Sequence, residues 1–227
     1  MQQNLIGLAE EADNMCAQLN SDQLAIFNAA ILAVQNNTSA ALFVDGPGGT
    51  GKTFLYSVLL ARVHADSHIA LAVASSGIAA LLLSGGRTAH SRFKIPIQLH
   101  ETSTCSISHR SDLSQLLQKA RLIVWDEAPM MHRFAFDAVD RTLKDLMKAT
   151  NPLLERQPFG GKVIVFGGDF CQILPVVPKG GREETVSACF QRSHLWRYIQ
   201  MIFLRNNMRL LQHMNAEDAI AQQDFAS

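Results

Sequence analysis

Apolar residues in this chain follow two patterns, and the two alternate. Short unbroken runs stand at Ala40-Ala41-Leu42-Phe43-Val44, at 69–74, at Leu122-Ile123-Val124-Trp125, at 163–166 and at 201–204. Runs of this length and composition read as strands buried on both faces. Between them apolar positions recur every three or four residues, the period of a helix with one buried face. One such stretch starts at Asn20 or Ser21, carries Leu24, Phe27, Ile31 and Val34, and gives way at Asn36-Asn37. A second spans Phe54 to Val63 with Leu55, Val58, Leu59 and Arg62. A short one from Gly77 to Leu83 stops at Gly85-Gly86, and Ser111 can cap another that holds Leu113, Leu116 and Leu117. The longest carries Ala135, Val139, Leu143, Leu146 and Met147. The segment 87–111 is turn-rich, and 151–161 is a connection punctuated by Pro and Gly. Strands alternating with helices predict an α/β fold, an open parallel sheet with helices on both faces.

The first strand runs into Gly46-Pro47-Gly48-Gly49-Thr50-Gly51-Lys52-Thr53, and a helix runs out of it. Strand, glycine-rich turn and helix is the setting of the G-x-x-x-x-G-K-[ST] phosphate loop. Backbone N–H groups there can converge on phosphate oxygens, and the helix adds the positive end of its dipole. Lys52 is expected to reach the β- and γ-phosphates, and the Thr53 hydroxyl to hold Mg²⁺. The chain is thus predicted to bind a nucleoside triphosphate.

The third strand ends in Asp126-Glu127. At that strand end Asp126 would bind Mg²⁺, and Glu127 would orient and deprotonate an attacking water. The N-K-x-D motif by which small GTPases read guanine is missing, and nucleotide kinases rarely need such a base. The fourth strand closes on Gly167-Gly168-Asp169, and Gln172 just beyond it can hydrogen-bond both γ-phosphate and water.

Composition narrows the class further. Of the 227 residues, 48% are hydrophobic and 18% charged, a globular balance with no run approaching a membrane span. The four cysteines form no C-x-x-C pair, and a reducing intracellular compartment fits best. Formal net charge is zero, mildly against a non-specific nucleic-acid binder. Charge is nevertheless uneven: Arg87, Arg92, Lys94, Arg110, Lys119 and Arg121 face only Glu101 and Asp112 between positions 85 and 121. That excess can track a phosphodiester backbone, or be an ordinary solvated face.

Taken in order, these motifs resemble the Pif1-like branch of superfamily 1 DNA helicases, and within it the helicases linked to Helitron transposons. Leu19-Asn20-Ser21-Asp22-Gln23 looks like the Q motif, whose glutamine reads adenine; Gly46 to Thr53 is motif I. Ser76-Gly77-Ile78-Ala79-Ala80, with Gly86-Arg87-Thr88-Ala89-His90-Ser91, resembles motif Ia, which contacts single-stranded DNA. Asp126-Glu127 opens motif II, and Pro158-Phe159-Gly160-Gly161 resembles the family's signature segment. Gly168 to Val176 is similar to motif III, with Leu174 where many members have proline. Asn207-Met208-Arg209 resembles motif IV, whose arginine reaches the γ-phosphate.

The resemblance implies a RecA-like domain over 19–210, after an N-terminal extension at 1–18. It implies ATP and Mg²⁺ as ligands, with Gln23 and the phosphate loop on ATP and with Lys52, Glu127, Gln172 and Arg209 catalytic. Thr88, His90 and Phe93 would contact single-stranded DNA, with Phe93 stacking on a base. Each has a plainer alternative: Gln23 stands three residues after Asn20 and can close a capping box. Thr88 and His90 can satisfy local backbone, Phe93 can be core, and Arg209 can be a surface residue. The family also needs a second RecA-like lobe, of which 211–227 would be the start. The expected activity is ATP-dependent 5′→3′ helicase action in repair, recombination and telomere maintenance, in the nucleus, although no targeting run is visible. The rival is a non-catalytic ATP- and DNA-binding remnant of a transposon helicase.

Overall fold

The computed structural model describes residues 2–172 and 174–208. In chain order the elements are α1 (Gln2–Cys16), α2 (Ser21–Gln35), β1 (Ala40–Asp45), α3 (Lys52–Ala65), β2 (Ile69–Ala74), α4 (Gly77–Leu81), β3 (Arg87–Thr88) and α5 (Ala89–Phe93). Then come α6 (Asp112–Lys119), β4 (Ala120–Asp126), α7 (Arg133–Lys148), β5 (Val163–Gly168), α8 (Arg182–Ala188) and β6 (Gln200–Phe203). Every pairing is parallel, and the strand order is β3-β2-β4-β5-β1-β6. All five apolar runs are strands, as their pattern predicts. The two-residue β3 is too short to leave a period in sequence.

Successive strand residues point to opposite faces, so each strand feeds two cores. Leu42, Val44, Val124 and Val165 pack beneath α2 and α3 with Ile26, Phe27, Leu55 and Leu59. Phe43, Trp125 and Phe166 pack on the other face with Phe93, Phe136, Phe159 and Phe190. Helices therefore cover both faces, as expected of parallel strands.

Local capping signals act where they stand in sequence. Asn20 caps α2 in a full capping box with Gln23, and Ser111 caps α6 by accepting the Ser114 amide. The extension is the surprise: residues 2–16 form a helix docked on α3. Ala12 is buried, and Asp13 pairs with Arg62 at 2.8 Å. Ala9, Ala12 and Cys16 carry the helical period that could have flagged it. The turn-rich excursion is anchored to α7, where Thr142 accepts the Cys105 amide at 2.9 Å and Arg141 donates to the Ser103 carbonyl.

Candidate active site

β1 and the amino end of α3 hold the phosphate loop at the carboxyl edge of the sheet. Gly49 and Gly51 have φ of 90° and 80°, left-handed backbone that glycine adopts without Cβ strain. Gly51 is the N-cap of α3, so the helix opens within the loop and its unpaired amides face outward. The Thr50 hydroxyl bridges back to the Pro47 carbonyl at 3.0 Å. Lys52 folds over the loop, its ammonium donating to the carbonyls of Gly46 and Pro47.

Acidic residues gather opposite this lysine. β5 lies between the strand carrying the loop and the strand carrying Asp126, so the ends of β1, β5 and β4 stand side by side. Asp126 is 5% exposed, and its carboxylate accepts the Glu127 amide at 2.9 Å. Burial pushes its carboxyl above the ordinary range, against the pull of that amide and of Lys52. Glu127 is pushed up as well, first by burial and then by Asp126 and Asp169, while Lys52 opposes. Its φ of 53° is left-handed, a strained setting for glutamate that points to an imposed geometry. Asp45, which the motif reading passed over, joins the group: burial and then Asp169 raise its carboxyl. It lines a cleft of about 650 Å³ with Gly46, Pro47, Asp169, Cys171 and Phe203. A carboxylate closing the apolar run just before the loop was the signal for it.

The structure brings some predicted residues together and separates others. Gln172 reaches the loop: a Cβ on Gly48 would lie 3.8 Å from its side-chain nitrogen. Gln23 is 1% exposed, its amide oxygen on the Asn20 N–H and its nitrogen on the carbonyls of Thr50 (3.2 Å) and Gly51 (3.5 Å). Both ends of that amide are engaged with protein, so Gln23 braces the phosphate loop while it closes the capping box with Asn20. Thr88 caps α5 through the Ser91 amide, and His90, two residues on, is exposed. Phe93 is corrected outright. It is 1% exposed and stacked on Trp125 with ring centroids 5.4 Å apart, so its face is already covered by protein. Arg209 lies outside the described residues.

The residue set suits a magnesium nucleotide. Mg²⁺ keeps most of its waters and takes one or two protein ligands beside the phosphates, which Thr53 and Asp126 can supply. Among the described residues no group of three or more His, Cys, Asp or Glu side chains forms a self-sufficient metal cage, and no helix is long and apolar enough to cross a membrane.

Known proteins place this geometry in a family. The PIF1-like helicase family matches residues 18–227. The zebrafish (Danio rerio) ATP-dependent DNA helicase PIF1 is 30% identical over 196 residues, 86% of this chain and 27% of that protein. The yeast (Saccharomyces cerevisiae) ATP-dependent DNA helicase RRM3 is 27% identical over 197 residues, 82% of this chain and 26% of that protein. The Pif1 helicase from Bacteroides in complex with ADP-AlF3 and ssDNA superposes with a TM-score of 0.67 at 25% identity, over 84% of this chain and 43% of that one. A structure of two coordinating Pif1 helicases at forked dsDNA gives 0.66 at 28% identity. The chain spans about a quarter of the length of these curated relatives. Matched over residues 18–227 and similar in fold to solved Pif1 helicases, the chain belongs to the PIF1-like helicase family.

Proposed function

We propose that this chain is the first RecA-like lobe of an ATP-dependent DNA helicase, and that it binds and hydrolyses ATP in response to single-stranded DNA. The observation that supports this best is the convergence at one sheet edge: Lys52 is the positive charge that bears on Asp45, Asp126 and Glu127 alike. ATP is the substrate, held by residues 46–53 with the loop amides and Lys52 on its phosphates. Mg²⁺, held by Thr53 and Asp126, would draw charge off those phosphates. Glu127 takes the proton of the attacking water, and its raised pKa makes it a stronger base than an exposed glutamate. Gln172 would respond to the γ-phosphate, a role that its approach to Gly48 supports. Arg209 completes the set as a stabiliser of transition-state charge.

Thr88 closes β3 and His90 lies just past it, on the same edge of the parallel sheet as the loop. A strand held there by Thr88, His90 and the basic residues around them would lie on the edge that senses nucleotide. Movement along DNA needs two lobes that close and open around ATP, so 5′→3′ translocation calls for a second RecA-like lobe. Work in repair, recombination and telomere maintenance, in the nucleus, is the setting proposed for the whole motor.

The test is steady-state ATP hydrolysis with and without poly-dT, beside Glu127→Gln. Stimulation by DNA that disappears in the variant supports the proposal. Nucleotide and DNA binding without hydrolysis would favour a binding module, and an ATPase indifferent to DNA would refute the coupling.

A further inference from the structure

Tyr56 has no part in the roles assigned above, yet its position is chemically demanding. It sits in α3 one turn beyond Thr53, fully buried, and its hydroxyl has no hydrogen-bond partner. Buried polar groups are almost always paired, and a site that wanted only a ring would accept phenylalanine. The other two such atoms among the described residues are the Nε groups of Arg92 and Arg133, whose guanidinium groups carry further donors. Tyr56 has only the one.

The neighbours of this hydroxyl define its purpose. A Cβ on Gly167 would fall 1.5 Å from the Tyr56 oxygen, so the phenol fills the space above that glycine. Phe166 pairs with Trp125 across β5 and β4, and the next step along the two strands sets Gly167 beside Asp126. Alternation puts Gly167 and Asp126 on the face that carries Val165, Val124 and Tyr56. The hydroxyl and the Asp126 carboxylate therefore share one sheet face, with backbones one strand spacing (~4.8 Å) apart. Burial holds the phenol well above its ordinary range, and the charges of Asp126 and Glu127 add to the effect. A phenol is protonated at neutral pH, so this hydroxyl is an unused donor on the face that carries Asp126.

We propose that Tyr56 is a positioning residue for the magnesium ligand: its hydroxyl, unpaired in this structure, donates to the Asp126 carboxylate once Mg²⁺ and nucleotide are bound and selects the oxygen presented to the metal. The inference rests on the ATP–Mg²⁺ reading above. One fixed donor, the Glu127 amide, already holds the carboxylate at 2.9 Å. A second on the sheet face removes its remaining rotation, as partners of metal ligands do elsewhere.

The test is Tyr56→Phe in the full chain, which keeps the ring and removes the donor, with Asp126→Asn as reference. Binding of ADP is measured calorimetrically across a range of Mg²⁺ concentrations, beside thermal melting without nucleotide. The Mg²⁺ concentration that half-maximally tightens ADP binding is expected to rise about tenfold or more in Tyr56→Phe. Metal-free ADP affinity and the melting temperature should stay close to wild type. An unchanged Mg²⁺ requirement in Tyr56→Phe overturns the positioning role while leaving the ATP reading intact. A wild-type chain that binds ADP without regard to Mg²⁺ overturns both. A measurement on unmutated protein covers a variant that fails to fold. The chain has two tyrosines, so ¹³Cζ-tyrosine labelling gives two signals, and Tyr198→Phe assigns them. The Tyr56 signal should move when Mg²⁺ is added to the ADP-bound chain, and a stationary signal refutes the proposal.

Discussion

The Gln23 side chain donates to the Thr50 carbonyl at 3.2 Å, tying the first turn of α2 to the underside of the phosphate loop. The same amide closes a capping box with Asn20. One residue thus caps the start of a helix and supports the phosphate loop, and the two tasks should fail together.

Gln23→Ala is expected to lower stability by about 1–2 kcal/mol, the range for losing a cap and a buried hydrogen bond. Urea denaturation measures this. Nucleotide titration should show ATP and GTP weakened to the same degree, because a brace beneath the loop does not distinguish bases. A loss confined to ATP would instead support adenine reading.

Phe93→Leu separates core from DNA contact. The buried ring rests on Trp125, and this large-to-smaller change should cost on the order of 1–3 kcal/mol and perturb tryptophan fluorescence. Affinity for poly-dT per folded molecule should be unchanged, whereas His90→Ala should weaken it.

Gly167→Ala is predicted to destabilise the fold by about 2–3 kcal/mol or more, since the added methyl would sit 1.5 Å from the Tyr56 oxygen. Its backbone is not left-handed, so the effect is steric, and Gly167→Ser should be at least as damaging. Thermal melting of both variants checks it.

Lys162 gives a pH signature at the opposite end of the sheet. Its ammonium is buried and donates to the carbonyls of Gln118 (2.6 Å) and Ala120 (2.8 Å) at the end of α6 and the start of β4. Burial, with help from Arg121, lowers its pKa from 10.5 to about 8. Between those values the unfolded chain holds a proton that the folded chain has released, so this group's contribution to stability rises with pH. Below about 8 both states are charged, the desolvation cost is complete, and the contribution is flat. Denaturation of wild type and Lys162→Met from pH 7 to 10 should therefore show the wild type gaining on the variant as pH rises. A constant difference would mean the amine is solvated.

Features that depend on neighbours along the chain could be read from its residues alone. Apolar runs became strands, Asn20 and Ser111 became caps, and 46–53 became a glycine-rich turn at a helix start, because each is set by the backbone preferences and period of a few consecutive residues. Asp126 and Glu127 were legible for the same reason, as the polar end of a buried strand. Which strand lies beside which was set by long-range packing, and the rest followed from that. Setting β5 between β1 and β4 brought Gly167 under Tyr56 and beside Asp126, a meeting of three residues far apart in sequence. Packing α5 against β4 turned Phe93 from a candidate stacking face into core beside Trp125, because an aromatic ring gains more from a dry, filled interior than from water. Docking of α2 beneath the loop gave Gln23 the partners that a local capping pattern could not reveal. Spacing records what a residue can do within its own helix or strand; long-range packing decides which of those capacities is used.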